Sequence, residues 1–351
     1  MNLRALFLFA GPRGKLYEEY KKGDAPDTYL VGLNHMSKYG IEAGFIENRF
    51  TEYLRKLSFN LTQLPTLSYL RSYDIVFSGS GVLTLFLVKF LLRWRKPKWV
   101  IYNTYLSNLF KRNDRRFKGW VIKKAVFSAD AIISPSLAQQ KFLAGIGLPT
   151  GKNYYAPYGV DYEFYAKAES EPQVSERYIF SAGRDVGRDY KTLIDAVKDL
   201  PVRLLIAALP RNLKDVGELP SNVTVSYFKP IQMPNLFKRA EFVVIPTISE
   251  EKMVGSDCSG QYVLLESMSS GKAVVTSART TLPDYFTDGL HGLTVIPENV
   301  EDLKLAIMAL WNDPDRAKAM GEAGQAVIKE KFTMEIFSRK LSEIFHEVTN
   351  R

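Results

Sequence analysis

Residues 256–275 read SDCSGQYVLLESMSSGKAVV, and this stretch decides how the second half of the chain folds. Ser259 and Gly260 form a turn, and an amphipathic helix with one acid, Glu266, follows it. Ser-Gly-Lys then leads into the apolar run Ala273–Val275. A short apolar run bounded by turn residues is a buried strand. A helix running straight into such a strand implies a parallel sheet with helices on its faces.

Moving outward, the same alternation repeats. "RYIFSAG", "RLLIAAL", "NVTVSYF", "EFVVIPT", "KAVVTS" and "GLTVI" are strands with helix-like segments between them. The first half repeats the pattern less cleanly, in "RALFLFA", "YDIVFSG", "KWVIYNT" and "DAIISPS", separated by helical patterns such as "DTYLVGLNHMSKYG" and "SLAQQKFLAGIG". Between the halves lies "YAKAESEPQVSERY" (165–178), which is polar, acidic and contains a proline. A chain of 351 residues is too long for one ordinary core. The expectation is an α/β chain of two doubly wound domains, 1–168 and 176–332, with a final segment at 333–351. In such sheets ligands bind at the carboxyl ends of the strands.

Hydrophobic content of 46% and charged content of 24% are those of a globular protein. The one cysteine, Cys258, excludes an intrachain disulfide and fits a reducing cytosol. The apolar run near the start is too short for a signal peptide and reads as a first strand. No stretch reaches the roughly 18 apolar residues of a membrane span, and "VLTLFLVKFLLRW" is interrupted by Lys89. The net charge of +9 divides into +12 for residues 1–170 and −3 for the rest. Between Arg93 and Lys124, eleven basic residues face Asp114 alone, interleaved with Trp94, Trp99, Phe117 and Trp120. A basic-aromatic cluster of this kind implies an anionic partner. Arg93, Trp94, Arg95, Lys96, Arg112, Arg115, Arg116 and Lys118 are its expected membrane-facing members.

Two motifs carry chemistry. In "FSAGRDVGRDYKTLIDAV" (180–197) a strand ends at Gly183 and a helix begins near Asp189. Arg184 and Arg188 flank the loop, where guanidinium donors match phosphate oxygens in pairs. In the opening stretch, Ser259, Gly260, Gln261 and Tyr262 supply the first free N–H groups of a helix, whose dipole favours an anion. Glu266, one turn further on, suits paired ribose hydroxyls rather than phosphate. A phosphate site and a ribose site on neighbouring strand ends describe a nucleoside diphosphate.

These residues resemble the donor domain of the retaining GT-B glycosyltransferases of family 4. That family has a Gly-Arg loop followed by a second basic residue, and a Glu-(seven residues)-Glu motif running into a small-residue turn and a Val-Val strand. Here Gly183-Arg184 is followed by Arg188, where the family usually has Lys, and Glu266-Ser-Met-Ser-Ser-Gly-Lys-Ala-Val-Val matches the second motif. "DYFTDGLHGLTVIPEN", "LWNDPDRAKAMGEAG" and "NYYAPYGVDYEFY" are also similar, so the likeness runs from about 155 to 345, and the first half matches in outline. The resemblance implies two Rossmann-like domains facing across a cleft, with the C-terminal helix packing back on the first. It also implies retention of configuration and no metal. The donor would be UDP- or GDP-linked, with the base read near Tyr227, in the backbone of Ser226–Lys229.

The chain departs from the pattern at one position. Eight residues before Glu266, where the family carries its first Glu beside the transferred sugar, stands Cys258 with Asp257 before it. A thiol of pKa about 8.5 is mostly neutral and is a poor carboxylate substitute. Either Asp257 takes the role or the backbone amides of 259–262 hold the sugar, with Glu250 and Glu251 as weaker substitutes. Cys258 itself reads as a small packed residue. Gly11, Arg13 and Gly14 after the first strand, and Asn103 in the region where many members carry His, are the acceptor-side candidates. Gly79-Ser80-Gly81 reads as a strand-to-helix turn. Asp313-Pro-Asp315 reads as a helix start, with Asp313 as N-cap. His35, His291 and His346 lack metal-ligand spacing.

The expected activity is transfer of a hexose from a nucleotide diphosphate sugar to an acceptor hydroxyl. The acceptor would be a lipid, a lipid-linked glycan or a polysaccharide, and the protein would lie peripherally on the cytoplasmic face of a membrane. A sugar-nucleotide epimerase and a non-catalytic sugar-nucleotide or glycan-binding protein are the alternatives. Nucleic acid is not expected as a partner, since it would leave the nucleotide site idle.

Overall fold

The structure is a computed structural model that describes residues 3–47, 50–58, 61–91, 93–94, 96–113, 116–167 and 177–351. The chain divides into two compact units. One comprises Met1–Lys22, Asp27–Gly159 and Met334–Arg351, and the other Gly23–Pro26 and Val160–Thr333.

The first unit is built on six parallel strands, β1 (Leu3–Leu8), β2 (Ile41–Phe45), β3 (Ile75–Ser78), β4 (Lys98–Tyr102), β5 (Ala131–Ser134) and β6 (Asn153–Tyr155), in the order β2-β1-β3-β4-β5-β6. The four inner strands are the four apolar runs of the sequence, and they are buried along most of their length. The edge strands β2 and β6 are half-exposed and lack a continuous apolar run, so sequence pattern passed over them. The segment 27–40 also differs from expectation. Instead of one α-helix it forms two short 3₁₀ turns, Asp27–Leu30 and Leu33–Tyr39. Val31 and Gly32 between them both adopt positive φ, a conformation no right-handed helix passes through.

The second unit contains β7 (Tyr178–Ala182), β8 (Arg203–Ala207), β9 (Val223–Ser226), β10 (Val243–Ile245), β11 (Val274–Ser277) and β12 (Gly292–Val295). All six are parallel, in the order β12-β11-β10-β7-β8-β9. The strand order reverses between β7 and β10, and in a doubly wound sheet the carboxyl ends of such a pair open into the ligand crevice. Local chemistry places the helices. Asp189 caps the helix Tyr190–Val197 by accepting from the Thr192 N–H at 3.1 Å. Asp313 does the same for Pro314–Lys331, accepting from the Arg316 N–H at 3.0 Å, so Asp313-Pro-Asp315 is a helix start. Both sheets are parallel throughout and alternate with helices, so each unit is α/β.

The last helix, Met334–Thr349, belongs to the first unit. Phe345 is fully buried against Phe7 and Phe77, at ring-centroid distances of 6.2 and 5.5 Å, and Phe337 lies 5.8 Å from Tyr102. At its start Glu335 accepts from Lys38 at 2.5 Å and from the Tyr39 hydroxyl at 2.9 Å. His35 joins this carboxylate to the buried Asp27, with ring nitrogens 3.0 and 2.7 Å from the two acids. Burial alone would lower the His35 pKa. The bonds to Asp27 and Glu335 outweigh it and hold the imidazole above its ordinary value. The bond from Lys38 leads the causes that bring Glu335 down to about 2.

The signs predict a two-sided pH dependence. A raised His35 stabilises fully below its unfolded pKa of about 6.5, and that contribution is lost as pH rises through the folded value. A depressed Glu335 contributes above its unfolded value of about 4.3, and loses its contribution as pH falls toward about 2. Thermal unfolding across pH should therefore show a fall on the alkaline side of neutrality that His35→Gln removes. An unchanged alkaline slope in that variant would exclude the imidazole as its source.

Candidate functional site

The sequence between β7 and the helix Tyr190–Val197 turns sharply at Gly183, whose φ of +143° suits glycine alone. The turn brings Arg188 back over the strand end. A Cβ on Gly183 would lie 2.3 Å from Arg188 Nε, 2.6 Å from Nη2 and 2.8 Å from Cζ, so the Nε–Nη2 edge of the guanidinium abuts the glycine. On its other side is Gly260, the N-cap of the helix Gln261–Ser269, with φ +94°. A Cβ there would lie 3.2 Å from Arg188 Nη1 and 2.9 Å from Ile245 Cγ2 of β10. Arg188 is thus held between two glycines, at the carboxyl ends of β7 and β10 and the start of a helix.

Its electrostatic state is unusual. Arg188 is 5% exposed, and its Nε and Nη1 have no hydrogen-bond partner. Burial pushes its pKa below the ordinary arginine value, against the attraction of Asp185 and Glu266. Around it Thr247 Oγ1, Ser259 Oγ and Gln261 Nε2 are likewise buried without partners. No side chain caps the helix that starts at Gln261, so its first N–H groups add a partial positive charge. A buried guanidinium with donors to spare, beside a helix N-terminus, is a seat for a multiply charged oxyanion.

Other residues hold this geometry. Asp185 accepts from the Gly187 N–H at 2.8 Å and from the Ser256 N–H at 3.3 Å, tying the loop after β7 to the turn before the helix. Arg279, after β11, donates to the Asp257 carbonyl at 3.1 Å and to the Ile248 carbonyl at 3.4 Å, while its guanidinium lies 3.6 Å from Glu250. The Tyr190 hydroxyl donates to the Gly183 carbonyl at 2.9 Å, and burial raises its pKa to about 12. Neither Asp185 nor Arg279 was singled out from sequence. Asp185 sits inside the Gly-Arg loop and could have been noticed there. Arg279 has no local signal, since only the fold brings it behind residues 256–257.

Most of the residues expected to bind in the second unit converge on this point. Gly183, Arg188, Ser259, Gly260 and Gln261 surround the site, and Tyr262 is half-buried one position further along. Glu266 is 1% exposed, one turn along the same helix, and its charge acts on Arg188. Arg184 is exposed, its guanidinium 5.2 Å from the Tyr227 ring centre. Asp257 and Cys258 are both buried in the turn before the helix. Glu250 accepts from the backbone and side chain of Thr280, at 2.8 and 3.1 Å.

In the first unit, Gly11 and Arg13 line a small cavity at the end of β1, with Glu47, Thr51 and Gln63 on its polar side and Phe9, Phe45 and Ile46 on its apolar side. The Glu47 carboxylate lies against Gly14. Asn103 is placed differently. Its amide is buried, donating to Ser134 Oγ at 3.1 Å and accepting from the Leu106 N–H at 3.0 Å, so both ends act within the fold. Of the basic-aromatic segment, Trp99 is in the core with its indole N–H on Ser78 Oγ, because β4 is a central strand. Trp94 is half-buried against the same core, with its N–H on the Pro97 carbonyl. Arg93, Lys96, Arg112 and Lys118 are exposed, whereas Arg95, Arg115 and the Arg116 side chain lie outside the described residues. Among the described residues no three His, Cys, Asp or Glu side chains gather as a metal-ligand set, and no helix is long and apolar enough to cross a membrane.

Residues 165–327 match the family described as Glycosyl transferases group 1. An uncharacterized glycosyltransferase of Methanocaldococcus jannaschii is 24% identical over 164 residues, 45% of this chain and 44% of that protein, so the match spans less than half of the relative's length. A second from the same organism is 23% identical over 330 residues, 87% of this chain and 81% of that one. Among solved structures, Anabaena HepE in complex with UDP-glucose superposes with a TM-score of 0.71 at 15% identity, covering 97% of this chain and 98% of that one. At that identity the likeness is one of fold.

Removing an unpaired buried charge should not harm the empty protein. Arg188→Met is therefore expected to leave ligand-free thermal stability unchanged or higher, while abolishing stabilisation by inorganic pyrophosphate. In the unaltered protein, pyrophosphate at 100 times its Kd should contribute about 2.7 kcal/mol. If Arg188→Met responded to pyrophosphate as the parent does, the anion would be seated elsewhere. Gly260→Ala should lose about 1–2 kcal/mol through its left-handed backbone alone.

Proposed function

We propose that this chain, whose residues 165–327 match the glycosyl transferases group 1 family, moves a hexose from a nucleotide diphosphate sugar to an acceptor hydroxyl. The carrying observation is the buried Arg188 guanidinium, its Nε and Nη1 donors unmet, between Gly183 and Gly260 at a helix start. A diphosphate supplies the charge and oxygens that this arrangement lacks. HepE, crystallised with UDP-glucose on the same fold, supports a nucleotide sugar as donor. In this reading Arg188, Arg184 and the amides of 259–262 take the diphosphate and Glu266 takes the ribose hydroxyls. The base lies by Tyr227, and Asp257 faces the transferred sugar in place of the family's first acid.

The chemistry follows from charge. As the bond between the anomeric carbon and the phosphate oxygen breaks, positive charge builds on the sugar ring and negative charge on the departing diphosphate. Donors fixed in a dry site stabilise that growing charge more than they stabilise the ground state, and this difference accelerates the step. The acceptor oxygen bonds to the anomeric carbon on the face the diphosphate leaves, with retention of configuration. The acceptor's proton passes to the leaving phosphate oxygen. No step calls for a metal, and the donor is UDP- or GDP-linked. The first unit, with Gly11 and Arg13 at its small cavity and Gly14 beside Glu47, would receive the acceptor. Its basic segment favours a lipid-linked acceptor at the anionic, cytoplasmic face of a membrane, where each Lys or Arg near headgroups contributes about 1 kcal/mol.

A thermal-shift screen over UDP, GDP and their sugars, followed by transfer assays with the stabilising donor, tests this reading. Glu266→Ala should weaken binding of the nucleoside diphosphate by roughly 1.5–3 kcal/mol, the value of lost charge-assisted hydrogen bonds. Unchanged affinity in a titration would remove Glu266 from the ribose.

Asp257→Asn should lower transfer while leaving plain nucleoside diphosphate binding intact, because that ligand carries no sugar. Cys258→Ala should be mild. The reverse pair of results would move the sugar contact to Cys258. Donor binding without turnover, or isomerised sugar from donor alone, would point to the binding-protein and epimerase alternatives in turn.

A further inference from the structure

The first unit leaves large apolar side chains in water on two neighbouring helices. Val82–Leu91 exposes Leu87, Phe90 (70%) and Leu91 (72%), and Arg116–Phe127 exposes Phe117 (78%) and Trp120 (57%). Both helices contribute inward residues to the same core cluster, Val82 and Leu85 from one and Ile122, Ala125 and Val126 from the other. They pack side by side on one face of the sheet, and their opposite faces look out together. On each helix the exposed positions repeat every three or four residues, which sets them along one stripe. Phe117 and Trp120 stack at 6.3 Å, and Lys124 lies 5.6 Å from the Trp120 ring centre. Isolated exposed apolar residues are ordinary, but stripes on adjoining helices mark an interaction site.

Charge decides what covers this face. From Phe50 to Lys124 the sequence has fifteen Lys and Arg against three Asp and Glu. Of those acids, Asp74 is engaged with the Arg4 backbone N–H, while Lys89 is neutralised by Asp130 at 2.6 Å. Exposed Arg93, Lys96, Lys118 and Lys124 remain around the stripes. Two copies of this chain meeting here would bring like charges together, whereas an anionic bilayer presents the opposite charge over an apolar interior. Helices of ten and twelve residues are too short to cross it, so they lie in its plane.

We infer that the helices Val82–Leu91 and Arg116–Phe127 form a bilayer-insertion face, with Phe90, Leu91, Phe117 and Trp120 below the headgroups of anionic lipid and the flanking Lys and Arg among them. The inference rests on the membrane reading above and goes further. Attachment by charge alone would dissolve in salt, whereas an inserted face stays attached by its apolar side chains once drawn in.

Trp120 is the one exposed tryptophan of the four, so quenching from within a bilayer falls mainly on it. The full chain is mixed with phosphatidylcholine vesicles with and without phosphatidylglycerol. With anionic vesicles its emission should shift to the blue and be quenched several-fold by lipids brominated on the acyl chain. A bound fraction should persist at 1 M salt, where screening acts within about 3 Å. A Phe90→Ser, Leu91→Ser, Trp120→Ser variant should lose that salt-resistant fraction about tenfold while keeping its stabilisation by pyrophosphate, which reports the second unit. The quenching result needs no variant and stands even if this one folds poorly. Binding without quenching, fully released by salt, would overturn insertion and leave adsorption by charge. Absence of binding to either vesicle would defeat both the insertion and the membrane reading. A parent that elutes as a dimer, with the variant a monomer, would assign the face to a second copy and overturn the inference.

Discussion

A single charge organises the second unit. The guanidinium of Arg188 is out of water with Nε and Nη1 unmatched, and its pKa is lowered by burial. Holding an ion in that state requires surroundings that cannot collapse onto it or let water in. Gly183 and Gly260, both at positive φ, let the backbone close on it from two sides. Asp185 and Arg279 lock the loops that carry those glycines, and each works through backbone groups rather than by pairing with Arg188. The fixed donors need no reorganisation when an anion arrives, which is the condition for strong electrostatic stabilisation.

The sequence was most legible where chain pattern and burial coincide. All six strands of the second unit were readable, the inner four as short apolar runs and the edge strands Val223–Ser226 and Gly292–Val295 through their β-branched residues. In the first unit the four inner strands were readable and the edge strands Ile41–Phe45 and Asn153–Tyr155 were not, since one-sided burial leaves no continuous apolar signal. The same logic separates the site residues. Gly183, Arg188 and Gly260 are legible because a tight turn, a phosphate-binding side chain and a helix start each leave a local signature. Arg279 acts across strands, and no spacing along the chain encodes that. Trp99 shows the opposite failure, for proximity to basic residues in sequence suggested a surface role that its place on a central strand forbids.

The two units handle positive charge in opposite ways. In the second, one arginine is stripped of water and held rigid, so that its full field falls on a single point. In the first, many Lys and Arg side chains remain solvated, each weak and screened within about 8 Å at physiological ionic strength. Charge of the first kind discriminates one ligand geometry, and charge of the second kind attracts an extended surface of any detailed shape.

The helix Met334–Thr349 belongs to the first unit although Val160–Thr333 builds the second. On a ribosome, the strands of the first unit emerge early, yet the aromatic surface of Phe7, Phe77 and Tyr102 lacks Phe345 and Phe337 until the last helix appears. At about 5–20 residues per second the wait is roughly 10–35 s, long enough for the second unit to fold first. Order of synthesis and order of completion are thus inverted. The aromatic surface of the first-made half stays uncovered until the last helix docks on it.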